Sequence, residues 1–271
     1  MGGLFTGLYC AALLLATGSG APMTMTAKEH PWGNFLPDTW RIVQTVTSSN
    51  IDGRSVQSQQ TVRTTLVSVD AGSITLRKTE TLNIGGRPVE QPPQIVRYDF
   101  FQEPIQENVR IRYGEPAKLE IDKRVVPCAV RIYEQQTSGG HLTTTIWYTT
   151  QLYPYVLRVE RILRASPEGD NSGGQIIRQS VTQVQETSAL RILRGNRRNR
   201  TYTLQTVERI GNITRITDAR CSWDVPGGLL ESTTRELDAQ NREIRRSVSR
   251  MTNYSSSFEL LPNSPRRAAM P

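Results

Sequence analysis

The 271-residue chain carries 33 Lys and Arg against 25 Asp and Glu, a formal charge of +8, with two histidines and three cysteines. That length can bury a sizeable core in one domain or two small ones. With so few His and Cys there is no His-x-His, Cys-x-x-Cys or clustered-Asp motif, so no metal site is expected and no cofactor is implied.

The first 27 residues contain no charged side chain, and residues 4–16 are an apolar run followed by the small, polar residues 17–21. This order reads as a secretory signal peptide, too short to span a bilayer as a helix. Pro22 disfavours cleavage after Ala21, so cleavage anywhere between residues 20 and 27 stays open. The remaining chain has no second apolar run of spanning length, and it is not expected to be an integral helical membrane protein. Export to the periplasm or the extracellular space follows. The basic excess lies wholly outside the leader, and all but Lys28, Lys78, Lys118 and Lys123 are arginines. A basic, exported surface suits anionic partners without choosing among them.

From Pro37 onward, runs of Thr, Val, Ile, Arg and Gln alternate with turn residues. Strands are predicted over residues 40–48, 56–69, 73–84, 94–101, 125–135, 142–150 and 155–163. Later ones cover 175–187, 201–209, 213–223, 229–237 and 243–254. Asp52-Gly53, Gly85-Gly86, Gly139-Gly140, Gly211-Asn212 and Pro226-Gly227-Gly228 supply turn chemistry between them. No segment shows a sustained 3.6-residue apolar period. The prediction is an all-β protein, a long antiparallel meander forming a curved open sheet or half-barrel. Residues 32–258 make up this domain, with two halves joined near 165–174 as an open alternative, and residues 259–271 form a disordered tail.

Period-two alternation assigns faces. Val126, Cys128, Val130 and Ile132 share one side of their strand, with Arg131 on the other. Leu142, Ile146 and Tyr148 alternate with Thr143, Thr145 and Trp147, and Leu157, Val159 and Leu163 oppose Arg158 and Glu160. A weak repeat runs from Arg131 through Gly140 to Pro154, and again from Leu204 through Gly211 to Pro226. It suggests a duplicated hairpin unit. Trp147 and Trp223, each ahead of its proline, are expected on the same concave side.

Catalytic patterns are absent. Gly169-Asp170-Asn171-Ser172-Gly173-Gly174 looks like a serine-protease nucleophile loop, but Asn171 breaks the motif and His141 has no reason to lie near it. His30 falls beside the processing site in a segment expected to be loose. Glu80, Glu134, Glu160 and Glu231 alternate with Arg or Thr, so cross-strand ion pairs explain them better than a glycosidase pair. The reading is non-enzymatic. Cys128 and Cys221 could both point into one core, and a disulfide and two buried thiols remain alternatives. Arg191, Arg194, Arg197, Arg198 and Arg200 gather around Gly195-Asn196 as a candidate anion-binding cluster or a solvated loop. No aromatics interleave with them, and no nucleic-acid partner is expected.

The segment Ile146-Trp147-Tyr148-Thr149-Thr150-Gln151-Leu152-Tyr153-Pro154-Tyr155-Val156-Leu157-Arg158-Val159-Glu160 resembles a hairpin of bacterial envelope half-barrel proteins of the lipoprotein-carrier (LolA-like) type. The resemblance implies a curved sheet holding an acyl chain. The helices that lid such carriers have no clear counterpart in this sequence. On this reading Trp147, Tyr148, Tyr153, Tyr155 and Trp223 are the candidate contacts for a lipid or other hydrophobic ligand. The alternative is a structural or interaction component of the cell envelope that binds a protein partner.

Overall fold

The computed structural model describes residues 24–51, 54–84, 86–165, 174–193 and 197–255. Residues 1–23, where the signal peptide is expected, residues 166–173 and residues 256–271, which include the expected tail, lie outside the described residues. Fifteen strands follow one another: β1 (Trp40–Ile51), β2 (Arg54–Val69), β3 (Ile74–Ile84), β4 (Arg87–Glu90), β5 (Gln94–Tyr98), β6 (Val109–Tyr113), β7 (Ala117–Ile121) and β8 (Arg124–Thr137). The second half adds β9 (Gly140–Tyr148), β10 (Val156–Arg164), β11 (Ile176–Leu193), β12 (Arg197–Ile210), β13 (Ile213–Ser222), β14 (Leu229–Leu237) and β15 (Glu243–Tyr254). The one helix among the described residues is a 3-10 turn, Ala27–Glu29. No helix there is long and apolar enough to cross a membrane.

All the described pairings are antiparallel, and the order is β4-β3-β2-β1-β15-β14-β13-β12-β11-β10-β9-β8-β6, with β5 also on β3 and β7 also on β8. No described pairing joins β4 or β5 to β6 or β7, so the sheet is open and curved, as expected. β1 pairs with β15, which places the first and last strands side by side in mid-sheet. β10 and β11, on either side of residues 165–174, are hydrogen-bonded to each other. Short β4, β6 and β7 are additions to the twelve predicted strands.

Register identifies the inner face. Directly paired residues lie on the same side of a sheet, and one face carries Leu66, Ile74 and Leu76 near one end and Tyr133, Ile146, Tyr148 and Val159 near the other. These residues from opposite ends of the sheet pack into a single buried cluster, so this face is the inside of the curl. Two segments outside the named strands fill the space between them. One is residues 24–39, which buries Met25, Trp32 and Phe35 in the cluster. The other is the β5–β6 connection, which buries Phe100 and Phe101. Fully burying each large side chain contributes roughly 1.5–3 kcal/mol, so these two segments are integral to the fold.

The N-terminal segment has its own local order. The Thr26 hydroxyl accepts from the Lys28 amide, and Glu29 accepts from the Thr26 amide at 2.7 Å, a reciprocal cap. His30 is 3% exposed, which corrects the expectation of a loose segment: the core needs Met25, Trp32 and Phe35, and His30 is carried inside between them. A mature chain beginning after Ala27 would lose Met25 from that core. A second, smaller cluster gathers Ile121, Val126, Cys128, Leu157 and Val184.

β8 keeps the expected division of its faces and turns the side that carries Arg131 inward. Its apolar residues Val130 and Ile132 pair with Trp147 and Thr145, on the outer face, while Arg131 and Tyr133 pair with Ile146 and Thr144, on the inner face. Arg131 is accommodated inside by aromatic rings, 4.4 Å above Phe101 and 5.2 Å from Tyr133. Such stacking compensates part of the desolvation of a guanidinium.

Candidate functional site

The aromatic residues singled out by sequence separate into three places. Tyr153, Tyr155 and Trp223 meet in an interlocked box with Tyr202, which sequence reasoning did not select. Tyr153 lies edge-on to Tyr202 at 5.0 Å and to Trp223 at 4.6 Å, and Tyr155 lies 5.6 Å from Trp223. The proline turns after β9 and β13 bring these rings together, and edge-to-face contact satisfies each ring with another. Tyr148 is fully buried in the main core, edge-on to Phe101 at 4.7 Å. Trp147 is on the outer face beneath the Arg158 guanidinium, 5.1 Å away. Trp147 and Trp223 therefore do not share a concave side: alternation along β9 sends Trp147 outward while Tyr148 points in.

Cys128 and Cys221 are free, buried thiols, so the disulfide alternative gives way to the other. Cys128 sits in the smaller cluster and donates to the Val126 carbonyl at 3.4 Å. Cys221 pairs in register with Tyr202, and burial pushes its thiol up to about 11. Of the arginine cluster, Arg191, Arg197, Arg198 and Arg200 belong to the paired ends of β11 and β12. Their side chains and all of Arg194 lie outside the described residues. Among the described residues, no three His, Cys, Asp or Glu side chains come together as a metal site.

The open space is on the inner face, and different residues line it. A cavity of about 490 Å³ runs over β8 to β13, floored by Leu142, Leu163, Ser180, Thr182, Thr206 and Thr217 and walled by Arg161, Arg178, Glu208 and Arg215. A second, of about 300 Å³, adjoins it and shares Leu142 and Arg161. A third, of about 700 Å³, lies at the other end of the same face over β1 to β3. None of the five predicted aromatic contacts lines these three cavities.

From the floor of the first cavity towards the third, the inner face is a band of paired hydroxyls. Thr182 bonds Thr206 at 2.8 Å, Thr217 bonds Thr234 at 2.9 Å, and Thr45 and Thr47 bond Ser249 and Ser247, each at 2.9 Å. Each pair satisfies itself, so the band presents small side chains and methyl groups with its polar valences filled. Alongside it runs an ion ladder over five strands. Glu208 accepts from Arg178 and from Arg215 at 2.7 Å, Glu236 accepts from Arg215 at 2.7 Å, and Arg245 stands 4.0 Å from Glu236. Arg161 pairs with Glu103, whose carboxyl is raised above its usual range by burial, with Arg161 opposing the shift. The period-two reading found the residue types of this band but not its position, because Thr occupies both faces of these strands.

No protein-family model matches the chain, and no curated protein matches it. Two solved structures are similar to it. One is a domain named for outer membrane lipoprotein sorting, from Vibrio parahaemolyticus, with a TM-score of 0.34 and 9% identity over 84% of this chain and 88% of that one. The other is an exported protein with a YmcC-like fold from Bacteroides fragilis, with a TM-score of 0.31 and 7% identity over 82% of this chain and 98% of that one. The first is named for the lipoprotein-sorting class that the 146–160 hairpin resembles. At this degree of superposition neither structure bears on ligand or activity.

Proposed function

We propose that the protein is an exported, non-enzymatic binding module that holds an amphipathic molecule with an acyl-like chain along the inner face of its curled sheet. The observation that carries this reading is the unfilled inner face. Where a closed core would place Leu, Ile or Phe, strands β11 to β15 and β1 place self-satisfied Ser and Thr pairs. The adjoining space of about 490 Å³ falls within the ~300–1,000 Å³ range of small-molecule sites. A hydrocarbon chain lying on Leu142, Leu163 and the threonine methyls gains about 0.8 kcal/mol per methylene removed from water. The five aromatic residues are then framework, and Tyr148 in particular anchors the β5–β6 connection that walls the site.

The test is displacement of a fluorescent fatty acid from delipidated full-length protein. Binding should be saturable and stoichiometric, and Thr206→Trp, which fills the cavity floor between Thr182 and Thr217, should weaken it at least tenfold. Undiminished binding to a folded Thr206→Trp protein would place the ligand elsewhere. A second reading, an interaction component of the envelope, is favoured by β6. Its free edge exposes Ile111 and Tyr113, 46% and 52% accessible, and edge strands recruit partner strands. Mass spectrometry of protein purified from its native envelope separates the two. Co-purified lipid supports the carrier, and a stoichiometric protein partner without lipid supports the interaction component.

A further inference from the structure

Most inner-face arginines have counter-charges: Arg161, Arg178, Arg215 and Arg245 each stand against Glu103, Glu208 or Glu236. Arg41 does not. Among the described residues no carboxylate lies within ion-pair distance of it. Its guanidinium stacks over Trp32 at 5.4 Å and gives one hydrogen bond, to the Pro226 carbonyl at 3.3 Å. Its Nε is buried and donates to nothing. Burial lowers Arg41 to about 10, which still leaves it charged at neutral pH. A buried charge without a partner is costly, and folds retain one where something else supplies the counter-charge.

Register places two further groups beside it. Arg41 pairs with Thr64 on β2, and Thr64 pairs with Lys78 on β3, so the three form one row on the inner face. With neighbouring strands about 4.8 Å apart, the backbones carrying the two cations are separated by about 10 Å, with a hydroxyl between them. An oxyanion with two or three oxygens bridges such a gap. Lys78 donates to the Tyr98 hydroxyl at 2.7 Å, and an ammonium has two further donors. All three residues line the cavity of about 700 Å³, whose remaining wall includes Val43, Val62, Leu82 and Leu229. Glu80 is the acid on this wall, and its Oε1 accepts from Gln60 at 2.7 Å.

We propose that Arg41, Thr64 and Lys78 form an oxyanion seat that takes the carboxylate or phosphate head group of the carried molecule. The seat makes the ligand an anionic amphiphile, and in that respect it rests on the carrier reading. Charge-assisted hydrogen bonds from two cations supply head-group selectivity, and the apolar wall receives the start of the tail.

The test compares three probes on delipidated full-length protein: a long-chain fatty acid, the fatty alcohol of equal length, and inorganic phosphate. The acid should bind about tenfold or more tightly than the alcohol, the worth of a charge-assisted hydrogen bond or two. That preference should shrink as salt rises, and Lys78→Gln should remove most of it without changing alcohol binding. Arg41→Gln should do the same, and Lys78→Gln serves as the independent variant because Arg41 also packs beneath Trp32. Equal affinity for acid and alcohol, or a preference untouched by Lys78→Gln, would overturn the seat and leave the carrier standing. Binding of phosphate alone, lost in Lys78→Gln, with neither lipid bound would keep the seat for a free oxyanion and overturn the tail. No binding of any probe would overturn both.

Discussion

The buried histidine makes the fold acid-sensitive in a way that can be calculated. His30 is 3% exposed, and its Nδ1 accepts the Trp32 amide at 3.1 Å. Burial lowers it from 6.5 to about 4, because an imidazolium there would lose both its hydration and that hydrogen bond. Between these two values the unfolded chain holds a proton that the folded chain refuses, so stability must fall as pH drops through this window and level off below it. At about 1.4 kcal/mol per pH unit, the loss between pH 7.5 and pH 4 comes to about 3 kcal/mol. For a chain of this size that equals roughly 6–12 °C in Tm.

The control is His30→Gln, which keeps an acceptor for the Trp32 amide and does not titrate. Glu103 contributes with opposite sign, since a carboxyl raised in the folded state favours folding in acid, but it is common to both proteins and cancels in the difference. Urea unfolding followed by tryptophan fluorescence at several pH values should show the wild type losing about 3 kcal/mol more than His30→Gln. Parallel pH profiles for the two proteins would refute the reasoning and place His30 in contact with water.

Two further outcomes follow from the packing. Glu208→Ala removes the carboxylate that joins Arg178 to Arg215, and should cost about 1–3 kcal/mol in urea unfolding, limited because both arginines are at least one-third exposed. A loss below about 0.5 kcal/mol would rank the ladder with ordinary surface pairs. Cys128 and Cys221 should resist a thiol reagent in the folded protein and both react after unfolding, because burial raises both thiols and keeps them protonated. Detection of an intramolecular disulfide, or rapid labelling of either native thiol, would contradict the structure.

The long strands were legible because their turns carry Gly and their runs carry Thr, Val and Ile in alternation. β7 was not, and the reason is local. It is five residues long, and its hairpin to β8 turns on Asp122 and Lys123 at φ 51° and 62°, positive values that usually announce themselves through Gly or Asn. β6 is equally short and interleaves arginine with apolar residues that stay exposed. The N-terminal segment has no periodicity, and its regular structure amounts to the 3-10 turn Ala27–Glu29. Its Trp32 and Phe35 are recognisable as core only once Leu66 and Tyr148 are known to stand opposite. Against the middle of that segment, Gly227 in the β13–β14 turn does carry a readable constraint. It has φ 68°, and a β-carbon there would lie 2.5 Å from the Trp32 ring nitrogen and 2.8 Å from Arg41 Cζ. The Pro226-Gly227-Gly228 turn is thus set by close approach as well as by turn chemistry.

The candidate site was hidden for a different reason. Alternation distinguishes two faces of a strand only when they differ in polarity, and Thr, Ser and Gln occupy both faces here. What satisfies the inner threonine hydroxyls is their partner across the strand: Thr182 meets Thr206, and Thr217 meets Thr234. Those partners are 24 and 17 residues away in sequence, and their pairing depends on the register of hairpins that no local pattern specifies. Arg41 illustrates the same limit in charge. In sequence it is one arginine among many, beside Trp40 at the start of a strand. Only the arrival of Trp32 on one side and Pro226 on the other half-buries it without a counter-ion. An arginine-rich sequence makes each arginine uninformative. The structure restores the information by showing that four inner-face arginines have acidic partners, whereas Arg41 faces a cavity.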